Sequence, residues 1–174
     1  VFDQGPAMDR FEDWAAATGL PRLQPVPGQR ISELLRRIEQ SKIDTFFKSR
    51  YDAARERFFA RQQAQTSPGE DAREPQQPFL VAFDCTGIST YSTTIDQAEY
   101  GHARQNPELG QVNLMLLCDE ETGEAVFAYH YWGSINDSKA FVPILQHMIS
   151  AGFDLSFTTF VTDRSFRNPF ATQF

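Results

Sequence analysis

Apolar residues recur at helical spacing before residue 66 and at strand spacing after residue 78. In the first stretch, Phe11, Trp14 and Ala15 lie on one side of a helix expected over Asp9 to Ala17, which Gly19 and Pro21 close. A second helical stretch is expected over Ser32 to Gln65. Its stripe is Ile31, Leu34, Leu35 and Ile38, continued less regularly by Phe46, Phe47, Tyr51, Phe58 and Phe59, with a break near Ser41 to Thr45. Thr66 to Pro78 contains three prolines, one glycine and no large apolar residue, which is the composition of a solvated linker. The expected organisation is therefore a helical region over 1–65, a linker over 66–78 and a second domain over 79–174.

Beyond the linker the pattern predicts four strands and one helix. Phe79 to Asp84 is apolar on both faces, as a buried central strand is. Gln111 to Cys118 and Ala125 to Trp132 form a hairpin around the turn Asp119 to Gly123. Asn136, Asp137 and Ser138 offer capping oxygens for a helix reaching Ser150 and stopping at Gly152. Pro143 requires that this helix kink or start late. Phe157 to Thr162 is the fourth strand. A strand, helix, parallel strand connection is right-handed, and the hairpin before it leaves strand one in the centre. The predicted class is α/β, with a mixed sheet of order 3-2-1-4 and strands one and four parallel.

That order gives the chain its chemistry. Strand one ends in Asp84 and strand four in Asp163, so both carboxylates reach the carboxyl edge of one sheet. Hard divalent cations take oxygen ligands, and a carboxylate pair in this position suits Mg²⁺ or Mn²⁺ held against a phosphate backbone. Arg164, beside the second aspartate, either contacts phosphate or balances local charge. Asn136, Asp137 and Ser138 are read as caps, His130 and His147 as structural, and Trp132 with the other strand-three aromatics as core.

Composition narrows the class further. The chain has 174 residues, 41% of them hydrophobic and 13% aromatic, enough for a packed core. No run approaches the roughly 18 apolar residues of a membrane span, and Val1 to Gln4 lacks the start of a signal peptide, so a cytoplasmic protein without membrane partners is expected. Cys85 and Cys118 lie in apolar runs and are expected as buried, reduced thiols. Net charge is −7, and residues 78–174 hold 4 basic against 11 acidic side chains, which opposes nucleic-acid binding by that half. Arg30 to Gln65 holds nine basic and five acidic side chains. Its arginines, Arg36, Arg37, Arg50, Arg55, Arg57 and Arg61, are either a solvated helix face or a DNA-contacting one.

Four segments taken in order carry a resemblance: Asp84 to Ser89, Tyr100 to Arg104 leading to Gln111 and Val112, Trp132 to Lys139, and Val161 to Arg164. Together they resemble the ribonuclease H-like catalytic core of bacterial insertion-sequence DDE transposases. The resemblance covers roughly Pro78 to Phe166 and makes 79–174 part of such a core. It implies that Asp84 and Asp163 are the first two members of an Asp-Asp-Glu triad. It further implies that Mg²⁺ or Mn²⁺ is the cofactor, that transposon ends and target DNA are the partners, possible self-association included, and that His102 and Arg104 engage DNA. The family's third carboxylate lies on a helix beyond the second aspartate. The chain begins without methionine and stops shortly after Asp163, so a fragment cut before that residue is expected. Two alternatives stand beside this: an inactive remnant that binds DNA or a full-length partner, and an aspartyl-phosphate phosphatase of haloacid-dehalogenase type. The second is carried by Asp84-Cys-Thr-Gly-Ile-Ser89 and opposed by the antiparallel hairpin.

Overall fold

The computed structural model describes residues 27–65, 77–101, 106 and 108–163. The helix expected over 9–17 and residues 66–76 of the expected linker lie outside them. Contacts divide the chain into two compact units, Val1–Ile43 and Asp44–Phe174. In the first, helix α1 (Gly28–Leu35) begins after Pro27 and buries none of its residues. The leucines of the expected stripe, Leu34 and Leu35, are exposed. The helix break falls at residues 36–39, where the Arg37 and Ile38 amides bond back to Leu34 and Leu35, and not at Ser41–Thr45 as expected. Glu39 then offers its carbonyl to the Lys42 and Ile43 amides, which starts α2 (Gln40–Gln65). The Ser41 to Thr45 cluster thus occupies a first turn, where short polar side chains are tolerated, and does not interrupt the helix.

In the second unit, strands β1 (Phe79–Thr90), β2 (Gly110–Asp119), β3 (Ala125–Trp132) and β4 (Thr158–Val161) form one sheet of order β3-β2-β1-β4. Helix α3 (Asp137–Ser150) connects β3 to β4. β1 pairs antiparallel with β2 and parallel with β4. The chain is therefore α/β with a mixed sheet, in the order that hairpin connectivity and crossover handedness predict. β1 is twice its expected length, because β2 continues the ladder to Thr90 opposite Gly110. Its apolar half ends at Phe83, and beyond that point the single large apolar side chain, Ile88, is exposed, a pattern that hydropathy alone does not mark as strand.

Side chains of one sheet face meet the two helices. Phe79, Val81 and Phe83 alternate inward on β1, as do Met115 and Leu117 on β2. On β3 both Val126 and Phe127 are buried. Phe127 pairs with Leu117 while Ala125 pairs with Cys118, so Val126 is the extra residue of a β-bulge. From α2, Phe47, Tyr51, Ala54 and Phe58 present one stripe at spacings of four, three and four residues. Tyr51 meets Phe79 edge-on at 5.8 Å and Phe153 at 5.5 Å, and Phe47 meets Phe127 at 5.9 Å. Ala54, fully buried, completes a stripe that looks irregular when only aromatics are read.

α3 supplies the other half of the core through Ala140, Phe141, Ile144, Leu145 and Met148. Phe141 sits 4.8 Å from Phe83 and 5.9 Å from Phe160, locking the helix over β1 and β4. Asn136 caps it by accepting the Ser138 amide at 3.0 Å. The helix does not start late: it runs through Pro143, which is exposed, as is Lys139, whose carbonyl loses its helical partner on the solvent side. Among the described residues no helix is long and apolar enough to cross a membrane.

Candidate functional site

The parallel ladder between β1 and β4 runs from Phe79 opposite Thr158 to Ala82 opposite Val161. Two residues further along each strand stand Asp84 and Asp163. In a parallel pair, opposite residues project to the same face, and neighbouring strands are about 4.8 Å apart. Continued past its last pair, that register would set Asp163, two residues beyond the end of β4, opposite Asp84, which lies not at the end of β1 as expected but in its middle, paired with Leu116, on the face opposite the helix-covered core. Both aspartates are exposed. The Cys85 amide donates to Asp84 Oδ1 at 2.9 Å, which orients that carboxylate from its own backbone.

Behind the edge, on the helix side, lies a second group. Cys85 and Tyr131 hydrogen-bond to each other, and the Tyr131 hydroxyl donates to Asp137 Oδ1 at 2.5 Å. Burial first, and then the negative charges of Asp137, Asp84 and Asp163, push the Cys85 thiol up to about 12, while its bond to Tyr131 acts in the opposite sense. Tyr131 is likewise pushed well above the ordinary phenol value, by burial and by its bond to the Asp137 carboxylate. Both cysteines are free thiols, but where burial was expected each is only half-buried, Cys85 on the helix side of the sheet and Cys118 on the other face. Asp137 does more than open a helix. It takes the buried phenol, a pairing that sequence spacing does not reveal because Tyr131 and Asp137 sit on different elements.

The chemistry of the edge suits a hard cation. Asp84 and Asp163 offer oxygen donors only, and Mg²⁺ characteristically uses one or two carboxylates with water and phosphate completing its shell. Among the described residues no group of three or more His, Cys, Asp or Glu side chains comes together as a metal site. His102, Arg104 and Arg164, the residues expected at DNA, lie outside the described residues.

The arginines of α2 have a structural occupation. Arg50 pairs with Glu124 at 2.7 Å and donates to the Ala125 carbonyl at 2.8 Å, and Arg57 takes the other oxygen of Glu124 at 2.5 Å. Arg61 pairs with Glu121 at 2.6 Å, and Arg55 with Asp154 at 3.0 Å. These four cations fasten the helix to the β2–β3 turn and to the segment before β4. They are therefore paired with carboxylates of the same unit and do not form a purely solvated face. His147 is structural, as expected: its ring packs 4.8 Å from Tyr129 and Nε2 meets Asp44 Oδ1 at 3.1 Å. Trp132, expected in the core, is instead 41% exposed, because its even-numbered position on β3 faces away from the helices.

The polar end of the buried face was not foreseen. Gln111 and Asn113 are 3% and 4% exposed. Asn113 Nδ2 donates to the carbonyls of Trp132, Gly133 and Ile135, and Gln111 Nε2 donates to Asn113 Oδ1 and the Gly133 carbonyl. Backbone, not side chains, covers this end of the sheet, and buried carbonyls require donors. The signal in the sequence is the break in apolar alternation on β2, where Met115 and Leu117 give way to Asn113 and Gln111. No family model matches the chain, and no curated protein or solved structure is significantly similar to it.

Proposed function

We propose that residues 79–174 are part of a ribonuclease H-like catalytic core of a DDE transposase, acting in the cytoplasm on transposon ends and target DNA. The observation that supports this reading is the parallel β1–β4 ladder, whose last pair, Ala82 and Val161, stands two residues before Asp84 and Asp163. Sheet order β3-β2-β1-β4, with β1 antiparallel to β2, agrees with that core and disfavours the phosphatase alternative, whose nucleophile motif needs parallel neighbours.

In this reading Asp84 and Asp163 hold Mg²⁺ or Mn²⁺. The cation, when bound, supplies charge stabilisation for in-line displacement at phosphorus. Everything else falls to the chain. The Cys85 amide fixes the rotamer of Asp84, and the protonated Cys85 and Tyr131 add no further charge behind it. A third acidic residue on a helix beyond Asp163 would complete the triad, and a chain lacking it would be the inactive remnant.

Net charge −7 makes metal and DNA binding interdependent, because phosphate is repelled by the aspartate pair until a cation neutralises it. Fluorescence anisotropy of a labelled DNA duplex tests this. Mn²⁺ is expected to tighten duplex binding about tenfold over the metal-free protein, ~1.4 kcal/mol. Asp84→Asn and Asp163→Asn should each remove the response to metal. Duplex binding that ignores Mn²⁺, or a response that survives both substitutions, would contradict the proposal.

A further inference from the structure

The buried amide of Gln111 is bracketed by two glycines. A Cβ on Gly87 would stand 2.8 Å from Gln111 Oε1, and one on Gly101 would stand 2.7 Å from Gln111 Nε2, so a side chain at either position would press on the amide. Its orientation is set from the far side. Asn113 Nδ2 faces the carbonyls of Trp132, Gly133 and Ile135, which turns Asn113 Oδ1 toward Gln111. Gln111 must then present Nε2, which donates to Asn113 Oδ1 at 2.9 Å and to the Gly133 carbonyl at 3.0 Å. A flipped amide would set oxygen against oxygen at both contacts. Oε1 is therefore left on the β1 side, against Gly87. It is buried, and among the described residues no group donates to it.

Ser89 stands directly opposite on β1. The backbone amide and carbonyl of Gln111 both bond to Glu99, so Ser89 and Gln111 form a non-hydrogen-bonded pair, the kind whose side chains approach most closely. The Ser89 hydroxyl is buried as well, and it too bonds to no described group, Gln111 included. Two facing residues thus each bury a polar atom unpaired, which folded proteins avoid.

We propose that one buried water molecule bridges them, donating a proton to Gln111 Oε1 and accepting the Ser89 hydroxyl proton. The inventory of hydrogens calls for such a ligand. Both N–H bonds of each amide are directed at Asn113 Oδ1 and the carbonyls of Trp132, Gly133 and Ile135, which leaves the network no donor for Oε1. The Ser89 O–H is the hydrogen at hand, and a water relays it by taking that proton and offering its own. A larger ligand would need an opening, whereas both atoms have lost contact with solvent. The bridge joins β1 to the segment held at Glu99, five residues beyond Asp84, and does not depend on what that aspartate binds.

A crystal structure of the full chain that shows ordered solvent should place a water ~2.7–3.0 Å from both Gln111 Oε1 and Ser89 Oγ. In solution, water-selective laboratory-frame and rotating-frame Overhauser spectra should give cross-peaks of opposite sign from water to the Gly87 Hα protons, the signature of a water held longer than the tumbling time. Ser89→Val, which puts a methyl in place of the hydroxyl, should abolish those cross-peaks, and Ser89→Thr, which keeps the hydroxyl, should retain them. A protein group bonded to Oε1 in the crystal, no density between the two atoms, or cross-peaks that survive Ser89→Val would each overturn the proposal. Should Ser89→Val fail to fold, the wild-type density and cross-peaks decide.

Discussion

Tyr51 is where helix, sheet and the strand that leads to Asp163 meet, so its removal measures how firmly that strand is held. The side chain is fully buried. Its hydroxyl donates to the Asp154 carbonyl at 3.1 Å and shares a hydrogen bond with Thr158 Oγ1 at 2.6 Å, and Thr158 is the first residue of β4. Tyr51→Phe leaves both partners short of one bond at a cost of ~1–2 kcal/mol. Tyr51→Ala also empties the space between Phe79 and Phe153, which adds ~3–4 kcal/mol. With a urea slope of ~2 kcal/mol per molar, the denaturation midpoint should fall by ~0.5–1 M for the first variant and by ~2 M or more for the second. Burial raises the Tyr51 phenol, so its contribution is complete below the ordinary tyrosine value near 10 and is lost as pH rises through the folded value. Tyr51→Phe should therefore also blunt the alkaline loss of stability. A Tyr51→Ala midpoint within ~0.5 M of wild type would refute the packing of α2 on the sheet.

Two further outcomes follow from the same geometry. With Cys85 pushed up to about 12 against an ordinary value near 9, its thiolate fraction at pH 8 is about 1000-fold lower than that of an unfolded cysteine, and iodoacetamide labelling followed by mass spectrometry should slow accordingly. Labelling of Cys85 at the same rate in folded and unfolded chain would contradict that environment. Glu124→Gln removes the carboxylate shared by Arg50 and Arg57; since Glu124 is a third exposed and Arg57 about half, the loss should be only ~0.5–1 kcal/mol, visible as a lower Tm at low salt and fading at high salt. DNA affinity should be unaffected, and a marked drop in it would reinstate these arginines as a nucleic-acid surface.

The sheet was legible because its order follows from connectivity. A hairpin, then a helix, then a strand leaves few arrangements once the crossover is right-handed, and the apolar runs at Phe79, Gln111, Ala125 and Phe157 each seed a strand. The parallel pairing of the two runs that precede Asp84 and Asp163 was legible for the same reason, since the order makes those runs neighbours. What escaped sequence reading depends on contacts between distant residues. The second half of β1 carries Thr86, Gly87 and Ser89 where a strand usually carries apolar residues, and only pairing with β2 makes it one. The arginines of α2 look like a free basic stripe until the β2–β3 turn brings Glu121 and Glu124 beneath them. Gln111 and Asn113 look like surface residues at a strand start, and are buried because the turn at Gly133 folds its carbonyls over them.

The proposed shared metal site at Asp84 and Asp163 is tested most directly by paramagnetic broadening of backbone amide resonances with substoichiometric Mn²⁺. The amides of Asp84, Cys85 and Asp163 should broaden first, and Asp84→Asn should abolish the effect across all three. Broadening centred on the acidic turn at Asp119 to Glu124, or at Asp84 without Asp163, would contradict the shared site.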